Sequence, residues 1–217
     1  TLKRTDEDGS FCAMTKGDRL FFTENMARVK GITLEEMWSR YPNEDLDWIE
    51  LANLRRTLEA YKKQHGKLDF TDMIEGVIQQ RLVMPVEVAV VDEAQDLSPM
   101  QWAAVDILFG QSSELHVSGD DDQAIFRWAG ADSDQLLKRK GARSVLPQSY
   151  RVPATVQSLA SRIIAQVDSR VPKKWSPTPQ AGTITHCSSI EQIDMRRGTW
   201  LLLARNVVFL RIYTDYC

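Results

Sequence analysis

Apolar residues recur at three- and four-residue spacing through the first third of the chain, which predicts helix up to about His65. Leu34, Met37 and Trp38 open the stripe, and Trp48, Leu51, Leu54, Leu58 and Tyr61 continue it. Pro42 and Asn43 break it as a turn and cap. Tryptophans in such a stripe read as core rather than as a ligand platform. The pattern then changes. Val86-Glu87-Val88-Ala89-Val90-Val91 is short, rich in valine and mostly apolar, as a buried parallel strand requires. A helix over 99–109 and a strand over 114–118 follow, giving the βαβ rhythm of an α/β domain. The remainder repeats that rhythm: a strand at 144–146, a helix over 153–167, a Pro/Lys-rich loop, and strands at 183–186 and 200–203. No internal repeat or low-complexity tract interrupts it.

Composition narrows the class. A length of 217 residues suits one or two domains, and 43% hydrophobic with 26% charged residues describes an ordinary globular protein. No apolar run has the length of a membrane span, and the polar first ten residues give no sign of a signal peptide. Cys12, Cys187 and Cys217 are odd in number and widely spaced, which points to a reducing compartment and no cysteine metal site. The three histidines are equally scattered. The net charge of −3 hides an asymmetry. Residues 1–135 hold 14 Lys+Arg against 26 Asp+Glu, whereas residues 136–217 hold 13 against 4. A basic region of that kind suits a polyanion partner or a solvated basic face.

The chemistry lies at the carboxyl ends of the two strands in the middle region, the edge where open α/β sheets bind ligands. Val90-Val91-Asp92-Glu93 brings two adjacent carboxylates out of a buried strand. They point in different directions, so one can hold a hydrated Mg²⁺ while the other orients and deprotonates a water. An Asp-Glu pair alone is weak, but Asp92-Glu93-Ala94-Gln95-Asp96 after an apolar strand is far more specific. The second strand delivers Ser118-Gly119-Asp120-Asp121-Asp122-Gln123. Gly119 permits a tight exit, and the Gln123 amide can donate to a phosphate oxygen. Two other readings fit the same residues: an acidic turn, and a two-metal nuclease cluster of Asp92, Glu93 and Asp120 to Asp122.

Longer blocks favour one family. Val91-Asp92-Glu93-Ala94-Gln95-Asp96 resembles the Walker B segment, motif II, of UvrD/Rep-like superfamily 1 DNA helicases. Gly119-Asp120-Asp121-Asp122-Gln123-Ala124-Ile125-Phe126-Arg127-Trp128-Ala129-Gly130-Ala131 resembles their motif III, and Leu146-Pro147-Gln148-Ser149-Tyr150-Arg151 their motif IV. Leu68-Asp69-Phe70-Thr71-Asp72-Met73-Ile74 is similar to the short block before motif II. Pro172-Lys173-Lys174-Trp175 and Leu202-Leu203-Ala204-Arg205-Asn206 are similar to weaker blocks downstream. The order is that of the family over residues 68–211, and the aromatic and Tyr-Arg blocks are not what a nuclease would carry.

The resemblance implies an α/β fold of the RecA-like P-loop NTPase kind, a parallel sheet flanked by helices, with a helical subdomain at the N-terminus. Residues 1–66 would be a partial helical insertion, 67–143 the second half of the first RecA-like domain, and 144–217 the start of the second. ATP and Mg²⁺ would be the cofactors, bound between the lobes. Asp92 would hold Mg²⁺, Glu93 would be the general base, and Gln123 would sense the γ-phosphate. Arg151 would supply positive charge to the transferring phosphoryl group. Gln95, Tyr150 and Asp120 would line the nucleotide site, with Tyr150 stacking near the adenine or ribose. Trp128 and Phe126 would stack on bases, with Phe70 and Arg205 as weaker DNA contacts. Core packing is the equal alternative for Phe126. The partners implied are single-stranded DNA, duplex junctions and the rest of the helicase chain, in the cytoplasm with the nucleoid.

Three departures qualify the resemblance. No G-x-x-x-x-G-K-[S/T] occurs; Gly66-Lys67 is the nearest imitation, with Tyr61 at the first glycine position and Leu68 at the Ser/Thr position. The late motifs V and VI are absent, and Ala129 stands where the family commonly has Arg. A fragment of a longer helicase, inactive alone, is the favoured expectation over a degenerate relative. The alternative function is a non-catalytic DNA-binding or regulatory module on the same fold.

Overall fold

The computed structural model describes residues 15–41, 45–168, 170–204 and 210, so Pro42, Asn43, Cys12, Cys217 and Arg205 lie outside the described residues. The chain divides into two compact units, Thr1–Lys138 and Arg139–Cys217.

The first unit begins with three helices. Helix α1 (Lys16–Lys30) starts on a capping box between Thr15 and Asp18 and stops at Gly31, whose φ of 65° is left-handed. Helix α2 (Leu34–Arg40) is capped by Thr33, and α3 (Trp48–His65) by Asp47. Met26, Ala27, Leu34, Met37 and Leu51 form the core that joins them, with Trp38 and Trp48 packed against it. The tryptophans are therefore core-associated, as their spacing predicts. The stripe fades along α3: Leu54 and Leu58 are half-buried and Tyr61 is exposed, where Arg55, Arg56, Glu59, Lys62 and Lys63 dominate the helix surface.

Helix α4 (Phe70–Gln79) leads to strand β1 (Val88–Val91). Helix α5 (Pro99–Leu108) follows, with a Ser98/Gln101 capping box and Pro99 in its first turn, and then strand β2 (Glu114–Val117). The strands pair in parallel, Val88 opposite Glu114 through Val91 opposite Val117, so the intervening connection is the expected crossover. Trp102 and Met100 on α5 and Ala89 on β1 are buried. Helix α6 (Ser133–Lys138) closes the unit. Among the described residues, no helix is long and apolar enough to cross a membrane.

The second unit contains helix α7 (Ala154–Ile164), shorter at both ends than its sequence pattern suggests. The strands expected at 144–146, 183–186 and 200–203 are not formed. Instead, among the described residues, a parallel bridge joins Gln148 to Ser176. Ser149 N donates to Ser176 O, Ser176 N to Pro147 O, and Thr178 N to Val152 O, so two extended segments run side by side. Pro147, Pro153, Pro177 and Pro179 remove the amide donors that a regular ladder would need there. Leu146, Leu201 and Leu203 remain exposed. A short apolar run becomes a strand only when a neighbour supplies hydrogen bonds.

Candidate active site and nucleic-acid interface

Strands β1 and β2 end side by side, and the ladder continues one step past them. Ser118 N donates to Val91 O at 2.8 Å, and Ala94 N donates to Ser118 O at 3.0 Å. That step holds Asp92 and Glu93 where the sheet meets solvent. Asp92 Oδ1 accepts from the Ser118 hydroxyl and from Glu93 N at 2.9 Å. The Ser118 hydroxyl, followed by the Glu93 amide, pulls the Asp92 carboxyl below its usual range. Asp92 therefore stays ionised and exposed, a hard oxygen donor suited to Mg²⁺. Sequence reasoning missed Ser118, because a serine before a Gly-Asp turn carries no pattern of its own.

Glu93 has φ of 50°, left-handed backbone that a non-glycine residue rarely adopts. A 3₁₀ turn over Ala94–Asp96 follows, closed by Asp96 N donating to Glu93 O. Within it Gln95 is only 2% exposed. Its Nε2 donates to Glu93 Oε2 at 2.7 Å, and its Oε1 accepts from Asp120 N at 2.9 Å. The expected nucleotide-lining Gln95 is thus buried, and the partners described for its amide are protein groups. Burial, reinforced by the Glu93 charge, raises the Asp96 carboxyl above its usual range.

Gly119 makes this junction possible, and through space rather than through φ. A Cβ there would fall 2.7 Å from Gln95 Oε1, 2.9 Å from Leu136 Cδ2 and 3.2 Å from Ala94 N. Beyond it, Asp120 caps a 3₁₀ turn over Asp121–Gln123, and Gln123 Nε2 donates to Asp120 Oδ2 at 2.6 Å. The exposed Gln123 amide carries a second hydrogen with which to meet a phosphate. A hydrogen-bonded series therefore runs Glu93–Gln95–Asp120–Gln123. Among the described residues, the set of carboxylates spaced to hold a cation together is Asp120 to Asp122, and it does not include Asp92 or Glu93.

Phe126 caps a 3₁₀ turn over Arg127–Ala129, and Trp128 lies at its centre. Their ring centroids lie 6.4 Å apart with planes at 51°. Trp128 is half-buried and Phe126 is 42% exposed, so neither is sealed in a core. Gly130, with φ of 99°, sits where a Cβ would fall 2.5 Å from Val29 Cγ1 and 3.2 Å from Met26 Sδ. Helix α1 thus backs the aromatic turn. Phe70, first residue of α4, is 86% exposed. Gly66 ends α3 at φ of 59°, so Gly66-Lys67 is a helix cap and not a phosphate loop.

In the second unit, Tyr150 is 87% exposed and Arg151 is also exposed. The Ser149 hydroxyl accepts from Arg151 N at 3.3 Å and Val152 N at 3.1 Å, shaping the turn that presents them.

Comparison with known proteins adds an independent line. The family model of the UvrD/REP helicase N-terminal domain matches residues 16–142. DNA helicase II of Haemophilus influenzae is 24% identical over 184 residues, 78% of this chain and 25% of that protein. ATP-dependent DNA helicase PcrA of Leuconostoc citreum is 30% identical over 151 residues, 63% of this chain and 20% of that protein. ATP-dependent DNA helicase Rep of Salmonella typhimurium is 29% identical over 174 residues, 73% of this chain and 26% of that protein. The chain spans about a quarter of the length of these relatives.

Proposed function

The chain belongs to the UvrD/REP helicase family, and we propose that in its full-length protein it forms part of an ATP-driven motor that moves along single-stranded DNA and unwinds duplexes. The observation that carries this reading is the bonded series Glu93–Gln95–Asp120–Gln123 at the adjoining ends of two parallel strands. It joins the base to the group that meets the γ-phosphate, which is what coupling hydrolysis to movement requires. The chain would be RecA-like, with residues 1–66 a helical insertion, 67–143 part of one lobe and 144–217 the start of the next.

In this mechanism Glu93 takes the proton from the attacking water, and Gln95 holds its carboxylate in place. Gln123 donates to the γ-phosphate, and Arg151 brings positive charge to the transferring group. Tyr150 stacks on the nucleoside. Asp92 would hold Mg²⁺, whose chemistry when bound is to neutralise charge on the phosphates. Trp128, Phe126 and Phe70 stack on bases, which any sequence permits. Arg205 is the further DNA contact. Bacterial helicases among the relatives support a cytoplasmic site of action with the nucleoid.

A second reading stands beside it: a DNA-binding or regulatory module that keeps the fold without catalysis. Strand displacement separates the two. The full-length protein, given ATP, should release a labelled strand from a partial duplex, and Glu93→Gln should abolish release while leaving DNA binding intact. Displacement that persists in Glu93→Gln overturns the assignment; none in either protein, with DNA still bound, favours the module.

A further inference from the structure

The first turn of α4 is tied down from two other helices. Asp69 and Asp72 form its capping box: Asp69 Oδ1 accepts from Asp72 N at 2.7 Å, and Asp72 Oδ2 from Asp69 N at 2.8 Å. Their other oxygens meet cations. Arg28 of α1 donates to Asp69 Oδ2 at 3.1 Å and to Asp72 Oδ1, and reaches Glu75 twice, at 3.0 and 2.9 Å. Lys62 of α3 donates to Asp69 Oδ2 at 2.5 Å and Asp72 Oδ1 at 3.0 Å. Thr71, also buried, donates to Asn25 Oδ1 on α1 at 2.7 Å. Residues 69, 71, 72 and 75 are thus all held, while Phe70 in their midst stands in solvent.

Arg28 is only 6% exposed. Burial alone would lower its pKa, and that of Lys62, but hydrogen bonds to the carboxylates outweigh burial and raise both. A buried ion cluster is a weak source of net stability compared with apolar packing of the same volume. Its distinctive product is geometry. A ring held on a rigid turn needs little ordering when a ligand arrives, and preorganisation of that kind raises affinity. Helix α1 also backs the Phe126/Trp128 turn through Val29 and Met26 against Gly130, so one helix braces both aromatic blocks.

We propose that Arg28, assisted by Lys62, is a positioning residue that fixes Phe70 as a base-stacking platform for single-stranded DNA. The inference rests on the reading of Phe70 as a DNA contact, and a double-mutant cycle in the full-length protein tests each part. Affinity for oligo-dT, melting temperature, and kcat at saturating DNA are measured for Phe70→Ala, Arg28→Gln and the double variant. Phe70→Ala should weaken binding about tenfold. Arg28→Gln should weaken it several-fold with kcat at saturating DNA unchanged, and the double variant should bind no more weakly than Phe70→Ala. Asp69→Asn keeps a side-chain cap while weakening the cation contacts, so it replaces Arg28→Gln in the cycle if that variant fails to fold. Losses that multiply in the double variant, or an Arg28→Gln that lowers only the melting temperature, overturn the positioning role. Unchanged affinity in Phe70→Ala overturns the reading of Phe70 itself, and the inference with it.

Discussion

Gln95 reaches Glu93 with its amide nitrogen at 2.7 Å and the Asp120 N–H with its amide oxygen at 2.9 Å, so one buried side chain joins the ends of both strands. A side chain placed this way governs where the Glu93 carboxylate points. Replacing it with Leu should lower kcat for DNA-stimulated ATP hydrolysis about tenfold or more, with KM for ATP little changed. A rise in KM at constant kcat would instead mean that Gln95 contacts the nucleotide, as the motif alone suggests.

Gly119→Ala should act through the same junction. The added methyl group would press on the Gln95 amide and Leu136 at under 3 Å. Overpacking of this kind costs ~1–3 kcal/mol. A lower melting temperature and a lower kcat are expected together, read by thermal unfolding and phosphate release. An alanine variant matching wild type in both would show that the junction is loose.

The ion cluster around Arg28 sets a pH dependence. Despite the cost of burial, hydrogen bonds from Lys62 and Arg28, with the reciprocal capping bonds, hold the Asp69 and Asp72 carboxyls below the usual aspartate range. Their folded-state values lie below their unfolded values, so the stability they confer is full above the ordinary aspartate range. It is lost as pH falls below about 4. Melting curves from pH 7 down to pH 3 should show a loss that Asp69→Asn makes smaller. An identical acid limb in the variant would assign that loss to other carboxylates.

The sequence made some of this legible and hid the rest for physical reasons. Strand β1 was readable because a valine-rich run ending in carboxylates has little other use, and β2 because a short run follows helix α5 at βαβ spacing; the structure trims them by two residues and one. The sequence pattern predicts β1 buried on both faces, yet Ala89 is buried while Val88 and Val90 are exposed. The expected strands at 144–146, 183–186 and 200–203 failed because apolar runs of three or four residues do not reveal whether a partner backbone exists. In the site, the residues of the motifs could be named, but the bonds between them could not. Gln95 reads as a polar motif residue, and only the fold shows it buried under a glycine. Arg28 gives no signal, since a cation among apolar helix positions looks the same whether it faces solvent or three carboxylates. Phe126 was balanced between core and surface, and its partial exposure leans toward the surface.

The 217 residues as a separate polypeptide should bind ATP weakly and show no DNA-stimulated turnover, because no phosphate-cradling loop is among them. Equilibrium binding of a fluorescent ATP analogue, with and without oligo-dT, checks this. Tight binding with robust turnover would require a different nucleotide site.

The most direct measurement is phosphate release by the full-length protein with ATP, Mg²⁺ and single-stranded DNA, comparing wild type with Glu93→Gln. The amide keeps the shape of the side chain and removes the base. ATP affinity should be retained while turnover falls about 10²-fold or more. Turnover near the wild-type rate in Glu93→Gln would contradict the assignment of Glu93 as the general base, and with it the reading of the junction between β1 and β2 as the hydrolytic centre.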